Sequence, residues 1–121
     1  MAAVNRVVAV MDDLFFTVKI LDAAKRAGMT VEFVKSEIDA IDKARTGPAL
    51  MILDLNCGAV DPVRLIIALK ADPETKGVNL VGYVSHVQGE LKVQAQQAGC
   101  DMVLARSAFS LNLPQLLKRY A

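Results

Sequence analysis

Ala49 to Gly58, reading ALMILDLNCG, constrains the fold more than any other stretch of the chain. Six of its first seven residues are apolar, and Asp54 is set among them. A short apolar run closed by turn-formers, here Asn56 and Gly58, reads as a strand buried on both faces, as in the middle of a parallel sheet. In such sheets ligands bind in the crevice outside the carboxyl ends of the strands. Burying a lone carboxylate is costly. Asp54 at a strand tip therefore points to a site, the alternative being a structural acid that caps a helix or pairs with a base.

The rest of the chain supplies partners for that strand. Arg6 to Met11 (RVVAVM) is a second apolar run, and it ends abruptly in Asp12-Asp13. Leu14, Phe15, Val18, Leu21, Ala24 and Ala27 then recur at helical spacing up to Gly28, which predicts an amphipathic helix with that stripe inward. Thr30 to Val34 predicts a strand. Ser36 opens a helix with Asp39 three residues on, and the helix is expected to run to Thr46 before Gly47-Pro48. Asp61-Pro62 starts a further helix, with Asp as cap and Pro at the first helical position. After the polar segment 72–77 (DPETKG), Val78 to Val84 predicts a strand ending in Ser85-His86, with His86 an exposed loop residue. A more polar helix follows over Gln88 to Ala98. Met102 to Ala105 is the last strand, and Leu111 to Tyr120 the last helix, begun by Ser110 or Asn112 with Pro114 in its first turn.

Strands alternating with helices in this way imply an α/β fold, a doubly wound parallel sheet of five strands covered by helices on both faces. The flavodoxin-like order 2-1-3-4-5 is the natural one, with its switch point between the first and third strands. Those are the strands ending in Asp12-Asp13 and in Asp54.

The 121 residues fit one domain, spanning 1–121, with enough apolar side chains to bury a core. A net charge of +1 and the absence of a basic run argue against nucleic acid as a direct partner. The apolar runs fall far short of a membrane span, and the first ten residues lack a signal-type pattern, so a cytoplasmic location is expected. Cys57 and Cys100 are isolated and read as free thiols. Arg64 follows Cys57 at a spacing one residue too long for a phosphate-loop phosphatase.

Four strand ends thus converge on one edge, carrying Asp12 and Asp13, Asp54, Ser85, and Arg106. Three neighbouring carboxylates repel one another unless a cation or protons intervene. Oxygen ligands of this kind suit Mg²⁺, which takes one or two carboxylates and accepts a phosphoryl oxygen. Arg106 can offset further negative charge, and a Ser85 hydroxyl can donate to an oxyanion. Such a pocket suits phosphoryl transfer to a carboxylate.

In VVAVMDD, LMILDLN, LKADPETKGVNLVGYVS and AGCDMVLAR, taken in order from Arg6 to Tyr120, the chain resembles the response-regulator receiver domains of two-component signalling. The resemblance implies Mg²⁺ held by Asp12, Asp13, Asp54 and the main-chain carbonyl of Asn56. It implies Asp54 as phosphoryl acceptor from a histidine kinase or phosphotransfer protein, and Ser85 as the hydroxyl that turns toward the phosphoryl group. Arg106 takes the place of the family's Lys in the catalytic set, and Ser107 that of the Pro after it. Gly58 and Pro62 stand where the family usually has Pro and Gly, and Val103 replaces the usual aromatic or His.

The function expected is that of a stand-alone signalling receiver rather than an enzyme, with at most self-catalysed gain and loss of phosphate on Asp54. Its output would be contact with a downstream protein or phosphate passed along a relay, and a homodimer is among the expected partners. The alternative is a pseudo-receiver, a protein-interaction module in which Arg106 pairs with Asp54 and fills the phosphoryl position. Asp12 or Asp13 could also cap the first helix, and Ser85 the fourth.

Overall fold

The computed structural model describes residues 5–85 and 89–121. Five strands, β1 (Arg6–Val10), β2 (Thr30–Val34), β3 (Leu50–Asp54), β4 (Leu80–Val84) and β5 (Met102–Ala105), form one sheet in the order β2-β1-β3-β4-β5. Every pairing is parallel. Between and after them lie α1 (Leu14–Arg26), α2 (Glu37–Ala44), α3 (Pro62–Ala71), α4 (Gly89–Ala98) and α5 (Arg106–Tyr120). The fold class and strand order are those expected from the alternation of elements. Among the described residues, no helix is long and apolar enough to cross a membrane.

Alternate side chains of each central strand point to opposite faces, and the core divides accordingly. Val8, Val10, Met51 and Leu53 pack with Ala40, Ala44, Leu65, Ile66, Leu69 and Ala95, which come from α2, α3 and α4. Val7, Ala9, Leu50, Ile52, Val81 and Tyr83 pack with Phe16, Ile20, Phe109 and Leu113 from α1 and α5. All five residues of β3 are buried, so the strand is covered on both faces as its apolar run implied.

Local signals set the helix starts. Ser36 Oγ accepts the Asp39 N–H at 3.1 Å, and Asp61 Oδ1 accepts the Arg64 N–H at 3.2 Å ahead of Pro62. Gly28 closes α1 with φ of 74°, a left-handed turn that other residues adopt only under strain. In β4, Gly82 leaves room for Leu55, because a Cβ there would lie 3.1 Å from the Leu55 side chain. That contact seats the chain just beyond Asp54.

Four expectations are corrected. α1 buries Phe16, Ile20, Ala23 and Ala24, whereas Leu14, Phe15, Val18 and Leu21 are exposed. Apolar residues surround much of this helix, so spacing alone could not choose its face. α2 ends at Ala44 rather than Thr46, since Thr46 turns its hydroxyl back to the Lys43 carbonyl at 2.6 Å. β4 begins at Leu80, because the Val78 N–H bonds to the Thr75 carbonyl in the preceding turn. α5 begins at Arg106, directly after β5, and includes Pro114 in its interior. Burial of Phe109, Leu113, Leu116 and Leu117 on one face carries the helix back past the Ser110 and Asn112 starts. The readings of the first four residues, of His86, and of Gln88 as the start of the fourth helix lie outside the described residues.

Candidate functional site

The switch point places β1 and β3 side by side, with Val10 beside Leu53 in the register. Asp12, Asp13 and Asp54 therefore leave the sheet at the same edge. Their environments differ sharply.

Asp13 is the N-cap of α1. Its Oδ1 accepts the N–H of Phe15 at 2.9 Å and of Phe16 at 3.4 Å, satisfying donors that have no partner within the helix. Its Oδ2 accepts from the Arg106 guanidinium at 2.6 Å. The guanidinium also lies over the Phe16 ring, 4.5 Å from its centre. Arg106 thus pairs with Asp13, and not with Asp54 as the pseudo-receiver alternative required. Asp13 is nearer in the fold because Arg106 opens α5, which packs beside α1 on the same face of the sheet. Asp12 is exposed.

Asp54 is 8% exposed and makes no ion pair among the described residues. Its Oδ1 accepts the Asn56 N–H at 2.9 Å. Burial pushes its carboxyl above the usual aspartate range; the Asn56 N–H opposes the shift, and the charges of Asp12 and Asp13 add to it. Asn56 is exposed, and its Oδ1 accepts the Ser85 N–H at 3.0 Å, tying the loop after β3 to the end of β4. Ser85 and Arg106 line a cleft of about 370 Å³ with Phe15, Phe16, Lys19 and Ser110. Lys19 crosses it to donate to the Ser110 hydroxyl.

The six residues singled out in the sequence, Asp12, Asp13, Asp54, Asn56, Ser85 and Arg106, thus meet at one end of the sheet. No three His, Cys, Asp or Glu side chains among the described residues stand close enough together to hold a metal ion by themselves. Asp12, Asp54 and the Asn56 main chain still offer hard oxygen donors. Two carboxylates and a carbonyl suit Mg²⁺, which keeps several waters, better than a cation needing an all-protein cage. Cys57 and Cys100 are buried free thiols, both raised by burial, Cys100 to about 11. Neither behaves as a thiolate nucleophile.

Sequence reasoning missed Tyr83. It pairs with Asp54 across β3 and β4, and its buried hydroxyl makes no well-formed hydrogen bond among the described residues. The only sequence signal was a polar aromatic in an otherwise apolar strand, and its significance depends on strand register.

No protein-family model matches the chain, and no curated protein does. Solved structures do. The signal receiver domain of a response regulator from Bermanella marisrubri superposes with a TM-score of 0.82 at 24% identity, covering 96% of this chain and 97% of that one. This chain has the receiver-domain fold of response regulators. The chemotaxis response regulator of Vibrio cholerae gives a TM-score of 0.80 at 20% identity, with 96% of this chain and 98% of that one covered. The receiver domain of a sensor histidine kinase from Pseudomonas aeruginosa PAO1 gives 0.81 at 18% identity, with 96% of each chain covered. That structure holds a magnesium ion in its active site cleft. At these identities the likeness is one of receiver fold.

Proposed function

We propose that this receiver fold works as a signalling domain that accepts a phosphoryl group on Asp54. The observation that carries the reading is the state of Asp54: a buried carboxylate at the switch point which, among the described residues, is held by one backbone N–H and paired with no cation. A structural acid in that position would be matched by a base, as Asp13 is by Arg106.

In this reading one Asp54 carboxylate oxygen attacks the phosphorus of a phosphohistidine or small acyl phosphate, and the donor leaves with the bonding pair. The Asn56 N–H orients the carboxylate. The Ser85 hydroxyl and the Arg106 guanidinium, both at the cleft, receive the new oxyanion charge; Arg106 does so by loosening its hold on Asp13. Asp12, Asp54 and the Asn56 carbonyl would hold Mg²⁺, with Asp13 joining once Arg106 lets go. The ion supplies charge neutralisation at the transferred group. The magnesium in the Pseudomonas receiver domain supports a divalent ion at this position.

The protein is a switch rather than a turnover enzyme, and its partners are a histidine kinase or phosphotransfer protein and a downstream protein. Leu14, Phe15, Val18 and Leu21 form an outward apolar stripe on α1 next to the site, which supports a protein partner. Incubation with a small acyl phosphate and Mg²⁺ should give a single phosphate adduct by intact mass, abolished by chelation. A protein that stays unmodified with both small donors and kinases would be a pseudo-receiver.

A further inference from the structure

Tyr83 is 1% exposed, yet its hydroxyl makes no well-formed hydrogen bond among the described residues, the Asp54 carboxylate being the side chain within its reach. A buried hydroxyl left unpaired is costly, and most find a partner. The ring is fixed: it stacks on Phe109 with centres 4.6 Å apart and touches Phe16 at 5.0 Å. Tyr83 is the β4 residue paired in register with Asp54 on β3, so both side chains leave the sheet on the same face. The charged groups that bear on the hydroxyl are Asp54, Asp13 and Arg106, and of these Asp54 is the acceptor with no ion pair among the described residues.

We propose that the Tyr83 hydroxyl is a hydrogen-bond donor to the Asp54 carboxyl group, poorly formed at rest and tightened in the transition state of phosphate loss, and that it sets the lifetime of the phosphorylated state. The proposal rests on the receiver reading above. In hydrolysis, a water oxygen bonds to phosphorus while the bond from phosphorus to the Asp54 carboxyl oxygen breaks. The electron pair stays on that oxygen, regenerating the carboxylate, and the water gives its proton to solvent. Charge therefore develops on the Asp54 carboxyl group, where a fixed donor stabilises the transition state more than the acyl phosphate. Buried among Phe16 and Phe109 and in register with Asp54, Tyr83 is assigned to the carboxyl group and not to the outward phosphoryl oxygens. It keeps its own proton throughout. Burial and the negative charge of Asp54 both push its phenol above the usual range, which keeps it a donor at neutral pH.

Tyr83→Phe removes only the oxygen and leaves the aromatic stack in place. With the protein phosphorylated by a small acyl phosphate and Mg²⁺, then freed of donor, the adduct on Tyr83→Phe should survive roughly tenfold longer than on the unmodified sequence, the kinetic equivalent of one charge-assisted hydrogen bond. The Tyr83 hydroxyl proton should also change resonance on phosphorylation, which a purely packing role would not cause. Equal lifetimes, or a shorter one in Tyr83→Phe, would overturn the proposal while leaving the receiver reading intact. A complete absence of adduct on both proteins would remove the receiver reading and the proposal together.

Discussion

Asp13 and Asp54 stand at the ends of neighbouring strands, and the fold treats them in opposite ways. Asp13 serves two backbone donors and a guanidinium, so its charge is part of what holds α1 against α5. Asp54 is more deeply buried, holds one N–H among the described residues, and has its charge opposed by its burial and by the neighbouring acids. A carboxylate that stabilises the native state is a structural part. One that the native state disfavours, in a crevice at a topological switch point, is better explained by what it does.

The largest expected effect separates the two by stability. Asp13→Ala removes the cap and the ion pair together and should cost about 1–3 kcal/mol in chemical denaturation. Asp54→Asn should instead stabilise the protein at neutral pH. The sign follows from the raised carboxyl: the folded state holds the proton more tightly than the unfolded chain, so stability is fully present below the unfolded value of 3.8 and falls as pH rises through the higher folded one. The gain from Asp54→Asn should therefore vanish below about pH 4. If Asp54→Asn destabilised the protein at neutral pH, the contrast between the acids would be lost.

A smaller effect concerns the cation between them. Arg106→Ala should cost at most about 1 kcal/mol, since half of its side chain is in solvent. It should also tighten Mg²⁺ binding by freeing Asp13, as read by titration followed in NMR; weaker binding would mean that the ion and the guanidinium do not compete. Smaller still, Asp13→Asn keeps a good cap and loses only the pairing charge, so its stability should fall by less than about 1 kcal/mol.

Much of this was legible beforehand, for identifiable reasons. The strand order follows from regular alternation and the handedness of parallel crossovers. The caps at Ser36 and Asp61 follow from residue chemistry within one turn. Facing and pairing were harder to read. Leu14, Val18 and Leu21 share helical spacing with Phe16, Ile20 and Ala23, and only packing against α5 decides which set goes inward. Three acids were available to Arg106, and its place at the start of α5, beside α1, selects Asp13. Pro114 reads in the sequence as lying in the first turn, where its missing N–H is harmless, but the buried face from Phe109 onward starts the helix earlier and leaves Pro114 in its interior. Tyr83 mattered only once the register set it beside Asp54.

The most direct test of the central claim is peptide-level mass spectrometry after exposure to a small acyl phosphate donor with Mg²⁺, run on the natural sequence, Asp54→Asn and Asp13→Asn. One phosphate is expected on the natural sequence, carried by the peptide containing Asp54 and lost in Asp54→Asn. In Asp13→Asn the label should be reduced but should remain on the same residue. Label on Asp13, or label that persists in Asp54→Asn, would contradict it.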